Sequence, residues 1–468
     1  MLKHLFIAAF SCAFVQSQAQ APTGKDKPNI VFLLADDLRW DAMGAMGNSI
    51  IQTPNLDRMA GEGLLFRNAY VTTSICAVSR ASILSGQYMS RHGIEGFSTN
   101  FTSEALAATY PMLLKEAGYV IGFIGKYGVG NNPPGEQFDF WSCTERGQPP
   151  YWYKTGGGRK IHHTDSVAND IQEFLDWFKG AGDAATTAAM TGKEQPFCLS
   201  VSFKAPHELD GNPPTYPVQE RFSDLYSDMV IPVPETADPK YWNSFPDFFR
   251  TDANIARKRW KALFSTPELF QENVKNYYRL VTGVDEVVGL LRQQLKDRGL
   301  DKNTVIIFMG DNGFYLGEHG MEGKWYGHEE AIRVPLIVYD PRPGAQQGSE
   351  DLIALNIDIA PTILHMAGLQ TPRRMQGRDL ISAVRHSGFR RKDFFYEHTF
   401  MGSPGIPKVE GVVSRKVKYM KFIEHGYEEL YDLRKDPHET TNMADDPRAA
   451  RLLQKMRDRY QVLKSLSK

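Results

Sequence analysis

The sequence predicts an α/β fold in which a large mixed, mostly parallel sheet is sandwiched by helices and followed by a smaller antiparallel-sheet-plus-helix subdomain. Three observations carry that expectation. Continuous apolar runs rich in branched residues recur at 28–35, 119–125, 197–203 and 304–309, the pattern of strands buried on both faces. Helical patterns lie between them, which implies crossovers and parallel pairing. The character then changes, with short alternating segments at 410–424 and 428–433 and a helical pattern over 447–466.

Taken in order, 28–35 reads as the first buried strand. Thr53-Pro54 opens a short amphipathic helix over 55–63, and 64–70 follows as a second strand. A helix begins within 80–84, another spans 110–117, and Gly118 ends it before the strand at 119–125. The stretch 211–260, rich in Pro, Asp and aromatics, reads as long irregular connections, which in compact domains are usually functional. Residues 274–298 form a long amphipathic helix ahead of the strand at 304–309. The expected division is a signal peptide at 1–21, a main domain at 22–385 and a C-terminal subdomain at 386–468.

Composition narrows the function. The net charge of −1 gives no global pull towards nucleic acid or acidic membranes, and no Walker loop or zinc-finger spacing is present. Lys3, the apolar stretch 5–15 and the small residues around Ala19 and Ala21 predict a secretory leader and a secreted or periplasmic protein. Cys12 follows Ala9-Phe10-Ser11, a poor lipoprotein box. No later segment is long and apolar enough for a transmembrane helix. Cleavage would leave Cys76, Cys143 and Cys198, an odd count. Cys143 and Cys198 are then either one disulfide or two buried thiols.

Two acidic groups follow strands. Asp36-Asp37 ends the first, and Asp311-Asn312-Gly313 follows the run ending at Met309. Ligands gather beyond the carboxyl ends of such strands, so both groups point to one crevice. Oxygen-only ligands suit Ca²⁺ or Mg²⁺. Taken alone, each motif is better read as a turn or a helix cap.

Cys76-Ala77-Val78-Ser79-Arg80, followed by Leu84-Ser85-Gly86, tips that balance. The run resembles the signature of type I sulfatases, Cys-x-Pro-Ser-Arg, with Val78 in the proline position. Further segments are similar to the same family: Pro28-Asn29-Ile30-Val31, Thr53-Pro54-Asn55-Leu56-Asp57, Arg333-Val334-Pro335, Asp358-Ile359-Ala360-Pro361-Thr362 and Glu429-Leu430-Tyr431-Asp432-Leu433. The resemblance implies an alkaline-phosphatase-like fold and a sulfatase. It implies that a maturase oxidises Cys76 to formylglycine (3-oxoalanine), and that Asp36, Asp37, Asp311 and Asn312 bind one Ca²⁺ beside the modified Cys76. One hydroxyl of the hydrated aldehyde would attack sulfur, and the other would later collapse and expel sulfate.

The resemblance also implies helpers. Arg80, one helical turn after Cys76, would neutralise charge. Lys126, His207 and Lys324 would bind the sulfate, with His207 as proton donor to the leaving alcohol. Besides Val78, the family's Gly-Lys-Trp-His-x-Gly departs here, with Tyr127 for its tryptophan and Gly128 for its histidine, so His162, His163 or His328 would have to approach from another loop. The implied partner is a sulfated carbohydrate, most simply a glycan met outside the cell. Candidate sugar contacts are Trp152, Tyr241, Trp242, Trp260 and Trp325, with Arg146, Arg159, Arg257, Lys258 and Arg259 for further anions, although packing and a solvated charged face account for such residues equally well. Two other readings stay open: an inactive binder of sulfated glycans, and a phosphate or phosphonate ester hydrolase of the same superfamily.

Overall fold

The computed structural model describes residues 27–154, 160–184 and 195–468. The leader and Arg159 lie outside the described residues. Nine strands form the main sheet. They are β1 (Asn29–Asp36), β2 (Leu64–Tyr70), β3 (Val120–Gly125), β4 (Phe140–Cys143), β5 (Phe197–Pro206), β6 (Thr304–Gly310), β7 (Arg333–Val334), β8 (Leu336–Tyr339) and β9 (Gly348–Leu355). Their order is β7-β2-β8-β6-β1-β5-β3-β4, and β9 pairs with β2. β1 runs parallel to both β5 and β6, whereas β8 lies antiparallel between β6 and β2.

Alternation along β1 feeds two cores, because successive side chains point to opposite faces. Ile30, Phe32 and Leu34 pack with helices α1 (Cys76–Ser85) and α2 (Tyr110–Glu116) on one face. Val31, Leu33 and Ala35 pack on the other against α3 (His163–Ala184) and the long α5 (Pro267–Asp297), which follows α4 (Ile255–Leu263). β1 is buried along its whole length, as a strand covered by helices on both faces must be.

The four-stranded antiparallel sheet comprises β10 (Asp393–His398), β11 (Val409–Ser414), β12 (Val417–Phe422) and β13 (Tyr427–Asp432), and helix α6 (Ala450–Ser467) covers it. Phe395, Val412, Tyr419 and Leu430 meet Leu453, Met456 and Tyr460 in its own small core. The fold class expected from the sequence is therefore the one observed.

Several elements differ in extent. The long helix α5 begins at Pro267, seven residues before its expected start, because Thr266 caps it by accepting from Leu269 N and Pro267 sits in the first turn, where its missing N–H costs nothing. The expected irregular stretch contains helices at Pro239–Ser244 and Ile255–Leu263. The sequence reading did not anticipate α3, β4 or β10. Cys143 and Cys198 are free thiols. Cys143 aligns with Gly125 and Cys198 with Ile121, at opposite ends of β3, so about 13 Å of strand separates them and no disulfide can form.

Candidate active site

Asp36 and Asp37 end β1, and Asp311-Asn312 follows its neighbour β6, so the sheet itself brings together groups 274 residues apart. Asp37 turns the chain with φ 62°, a left-handed conformation that a short polar side chain tolerates best after glycine. That turn lets Asp37 N donate to Asp311 Oδ1 at 3.0 Å. Tyr277 of α5 donates its hydroxyl to Asp37 O at 2.7 Å and fixes the turn from behind.

Cys76 is the first residue of α1, whose ten residues are all buried. No side chain caps this helix, and its first backbone bond is Ser79 N to Ile75 O. Residues 76 to 78 therefore present first-turn N–H groups that have no intrahelical acceptor. A proline at 78 would lose no hydrogen bond there, so Val78 and proline satisfy the fold alike.

The cations converge on the acids. Arg80 Nε donates to Asp311 Oδ2 at 2.8 Å and Nη1 to Lys126 O at 2.6 Å. Lys126 Nζ pairs with Asp36 Oδ2. Lys324 Nζ donates to Asp37 Oδ1 at 2.5 Å and lies 2.9 Å from Cys76 Sγ. Its loop is tied to the start of α1 by Trp325 N donating to Ser74 O at 3.2 Å. His207 Nε2 lies 3.5 Å from Asp37 Oδ2. All nine sequence-predicted site residues thus fall in one place.

Electrostatics follow from this packing. Burial raises the Asp36 carboxyl, yet the charges of Lys126, Arg80 and Lys324 together hold it well below the usual carboxylate range. Asp311 is pushed up to about 7 by burial and by neighbouring Asp36. Burial, followed by Asp36, drives the Cys76 thiol well up, so the unmodified side chain is a neutral thiol and a poor nucleophile. Lys324 is raised against its burial, chiefly by Asp37. Burial pushes His207 down to about 3. Its Nδ1 donates to the carbonyl of Glu208 at 2.5 Å, which leaves Nε2 bare and facing Asp37.

The donor set fits a hard cation. Asp36 Oδ1, Asp37 Oδ2 and Asn312 Oδ1 are buried without a hydrogen-bond partner, and orphaned acceptors of this kind call for a ligand. Ligand atoms of Asp36, Asp37, Cys76 and Asp311 lie within 4.8 Å of one another. Oxygen donors in this number suit Ca²⁺ better than a softer metal.

Gly128 leaves no room for a side chain in this packing. It has φ 71°, and a β-carbon there would lie 2.8 Å from Arg80 Cδ. Of the three substitutes, His162 is bonded to Pro217 O and Thr164 N. His328 is bonded to Tyr315 and stacked on His319 at 4.6 Å. His163 is bonded through Nδ1 to the Tyr153 hydroxyl at 3.2 Å, and its Nε2 is buried and unpartnered.

The rim differs from expectation. Trp242 and Trp325 are buried in the core, and Arg257 covers the faces of Trp242 and Trp260. Trp152, Arg146 and Lys258 are exposed and Tyr241 is half-buried. Glu208 and Glu322, both buried and both paired with Arg259, border the site. Sequence reasoning missed these two, since no spacing rule links Glu208 to Glu322.

Comparison with known proteins agrees with this geometry. Residues 28–369 match the sulfatase family, and residues 317–465 match the N-sulphoglucosamine sulphohydrolase C-terminal family. The chain is 30% identical to the N-sulphoglucosamine sulphohydrolase of Homo sapiens, over 92% of this chain and 88% of that protein. It is 27% identical to an N-acetylglucosamine-6-O-sulfatase of Bacteroides thetaiotaomicron, over 93% and 86%. A solved structure of a protein in complex with its substrate D-glucosamine-2-N,6-O-disulfate superposes with a TM-score of 0.78 at 24% identity, covering 94% of this chain and 98% of that one. The chain belongs to the sulfatase family of hydrolases.

Proposed function

We propose that this protein hydrolyses O-sulfate esters on a glycan or oligosaccharide outside the cytoplasm, using formylglycine made from Cys76 and one Ca²⁺. The observation that carries the reading is the convergence on Asp37, where Lys324, His207, Asn312 and Cys76 meet beside three unpartnered buried oxygens. The names of the relatives support a sulfated amino sugar as the kind of substrate.

Asp36, Asp37, Asp311 and Asn312 would hold the cation. Once in place, the ion would supply Lewis-acid polarisation and the converted side chain of residue 76 an oxygen nucleophile. Arg80 and Lys126 neutralise Asp311 and Asp36, so the buried carboxylates do not repel an arriving sulfate. Lys324, aimed at Cys76 Sγ, reaches the sulfate oxygens and stabilises charge that grows as the ester bond breaks. His207 starts neutral. A bound sulfate anion raises its proton affinity, so Nε2 takes up a proton from solvent and then passes that proton to the departing alcohol. His163 is our assignment for the task of the absent histidine at position 128.

The test is the mass of the Cys76 peptide after export from a host with a maturase, combined with sulfate release from sulfated glucosamines. Conversion lowers the mass by about 18 Da on the cysteine oxidation chemistry involved, and turnover follows. A second reading, a binder of sulfated glycans without turnover, is favoured by one observation, Gly128. An unconverted thiol with retained glycan binding would put that reading first.

A further inference from the structure

We propose that Arg259 is a positioning residue that holds His207 and Lys324 on either side of Asp37; this rests on the reading that both cations meet the sulfate group. Arg259 projects from α4. Its Nε donates to Glu322 Oε2 at 2.6 Å, Nη2 pairs with Glu208 Oε1, and Nη1 reaches Asp210 at 3.3 Å. The side chains of Glu208 and Glu322 are 2% and 0% exposed.

Both carboxylates belong to the loops that carry the cations. Glu208 adjoins His207 and receives the imidazole Nδ1–H on its carbonyl. Glu322 precedes Lys324 by two residues. The other side of the circuit closes through Asp37, which Lys324 meets at 2.5 Å and His207 at 3.5 Å. One ligand atom each from Asp37, His207 and Glu208 falls within 4.8 Å of the others. Arg259 is therefore the only cation among the described residues that bridges these two loops. A guanidinium can hold two carboxylates in one fixed plane, whereas a lysine acts as a point charge. With the bridge lost, nothing ties the Glu208 loop to the Glu322 loop, and where the two carboxylates stay charged they are also left unpaired and buried.

The experiment uses Arg259→Lys in the calcium-loaded protein with Cys76 unmodified, so that no turnover enters. A triple variant, Arg259→Met with Glu208→Gln and Glu322→Gln, removes the buried charges together in case the single change fails to fold. The first readout is the ¹⁵N spectrum of the His207 imidazole, assigned with His207→Ala. The Nδ1–H form should dominate in the wild type and be lost in either variant, and an unchanged signal would overturn the proposal. The second readout is calorimetric binding of inorganic sulfate, which should weaken at least about tenfold, as for other supporting residues of a bound site. Weaker binding with an unchanged His207 signal also overturns it, because lost charge alone then accounts for the effect. If the wild type binds no sulfate, the reading of the site fails, while the His207 resonance still decides the positioning claim.

Discussion

Gly128 and Arg80 exclude each other's atoms: a β-carbon at 128 would stand 2.8 Å from Arg80 Cδ and 3.6 Å from Lys126 Cε. The space that a side chain at 128 would need is filled by the guanidinium stem that holds Asp311. Gly128→Ala should therefore cost about 1–2 kcal/mol from the left-handed backbone alone, read as a lower denaturant midpoint. Gly128→His should lower sulfate release, since it moves Arg80 off Asp311. Higher activity with an unchanged midpoint would refute this account.

Asp311 gives the site a pH dependence. Its folded value of about 7 lies above that of the unfolded chain. Without the ion, the stability linked to this group is complete at acid pH and is lost as pH rises through about 7. A cation binds the ionised form and competes with the proton. The rise in Tm on adding Ca²⁺ to EDTA-treated protein should thus be larger at pH 8 than at pH 6. Asp311→Asn should abolish that difference.

Lys324 is the cation nearest Cys76. Lys324→Met should reduce kcat for sulfate release by about 10²–10³-fold, as for removal of one donor to developing negative charge. Equal kcat values for the two proteins would show that Lys324 only balances Asp37.

Lys418 of β12 is fully buried between Glu329 at 2.9 Å and Glu439 at 2.8 Å. Burial pushes Glu439 up to about 7 even beside this lysine. Lys418→Met removes the cation that the two carboxylates share and should destabilise by about 3–5 kcal/mol. Chemical denaturation would measure the loss, and a change below about 1 kcal/mol would show that the acids simply take up protons.

Local and repeated patterns were legible in the chain. The apolar runs marked β1, β3, β5 and β6 because both faces of those strands are covered, and acids at the ends of β1 and β6 fell together because the two strands are hydrogen-bonded neighbours. The turn of helix between Cys76 and Arg80 needed only the helical period. Interactions without period stayed hidden. Arg259, Glu208 and Glu322 come from three separate segments, and nothing in their spacing joins them. Helix α3 begins directly after the three-residue strand Lys160–His162, and its first turn is met by His162, whose Nδ1 accepts from Thr164 N at 3.2 Å, a role that a histidine does not announce in sequence. Trp242 and Trp325 looked available for sugar because an aromatic side chain carries no mark of which face it buries.

The burial of all ten residues of α1 sets a schedule for the protein. On the proposed conversion of Cys76, an enzyme that grips the surrounding peptide would have nothing to hold once the helix has closed, which would confine the oxidation to the interval between synthesis and folding. Folded, unconverted protein should then stay inert when converting enzyme is added, and unfolding it first should reopen the route.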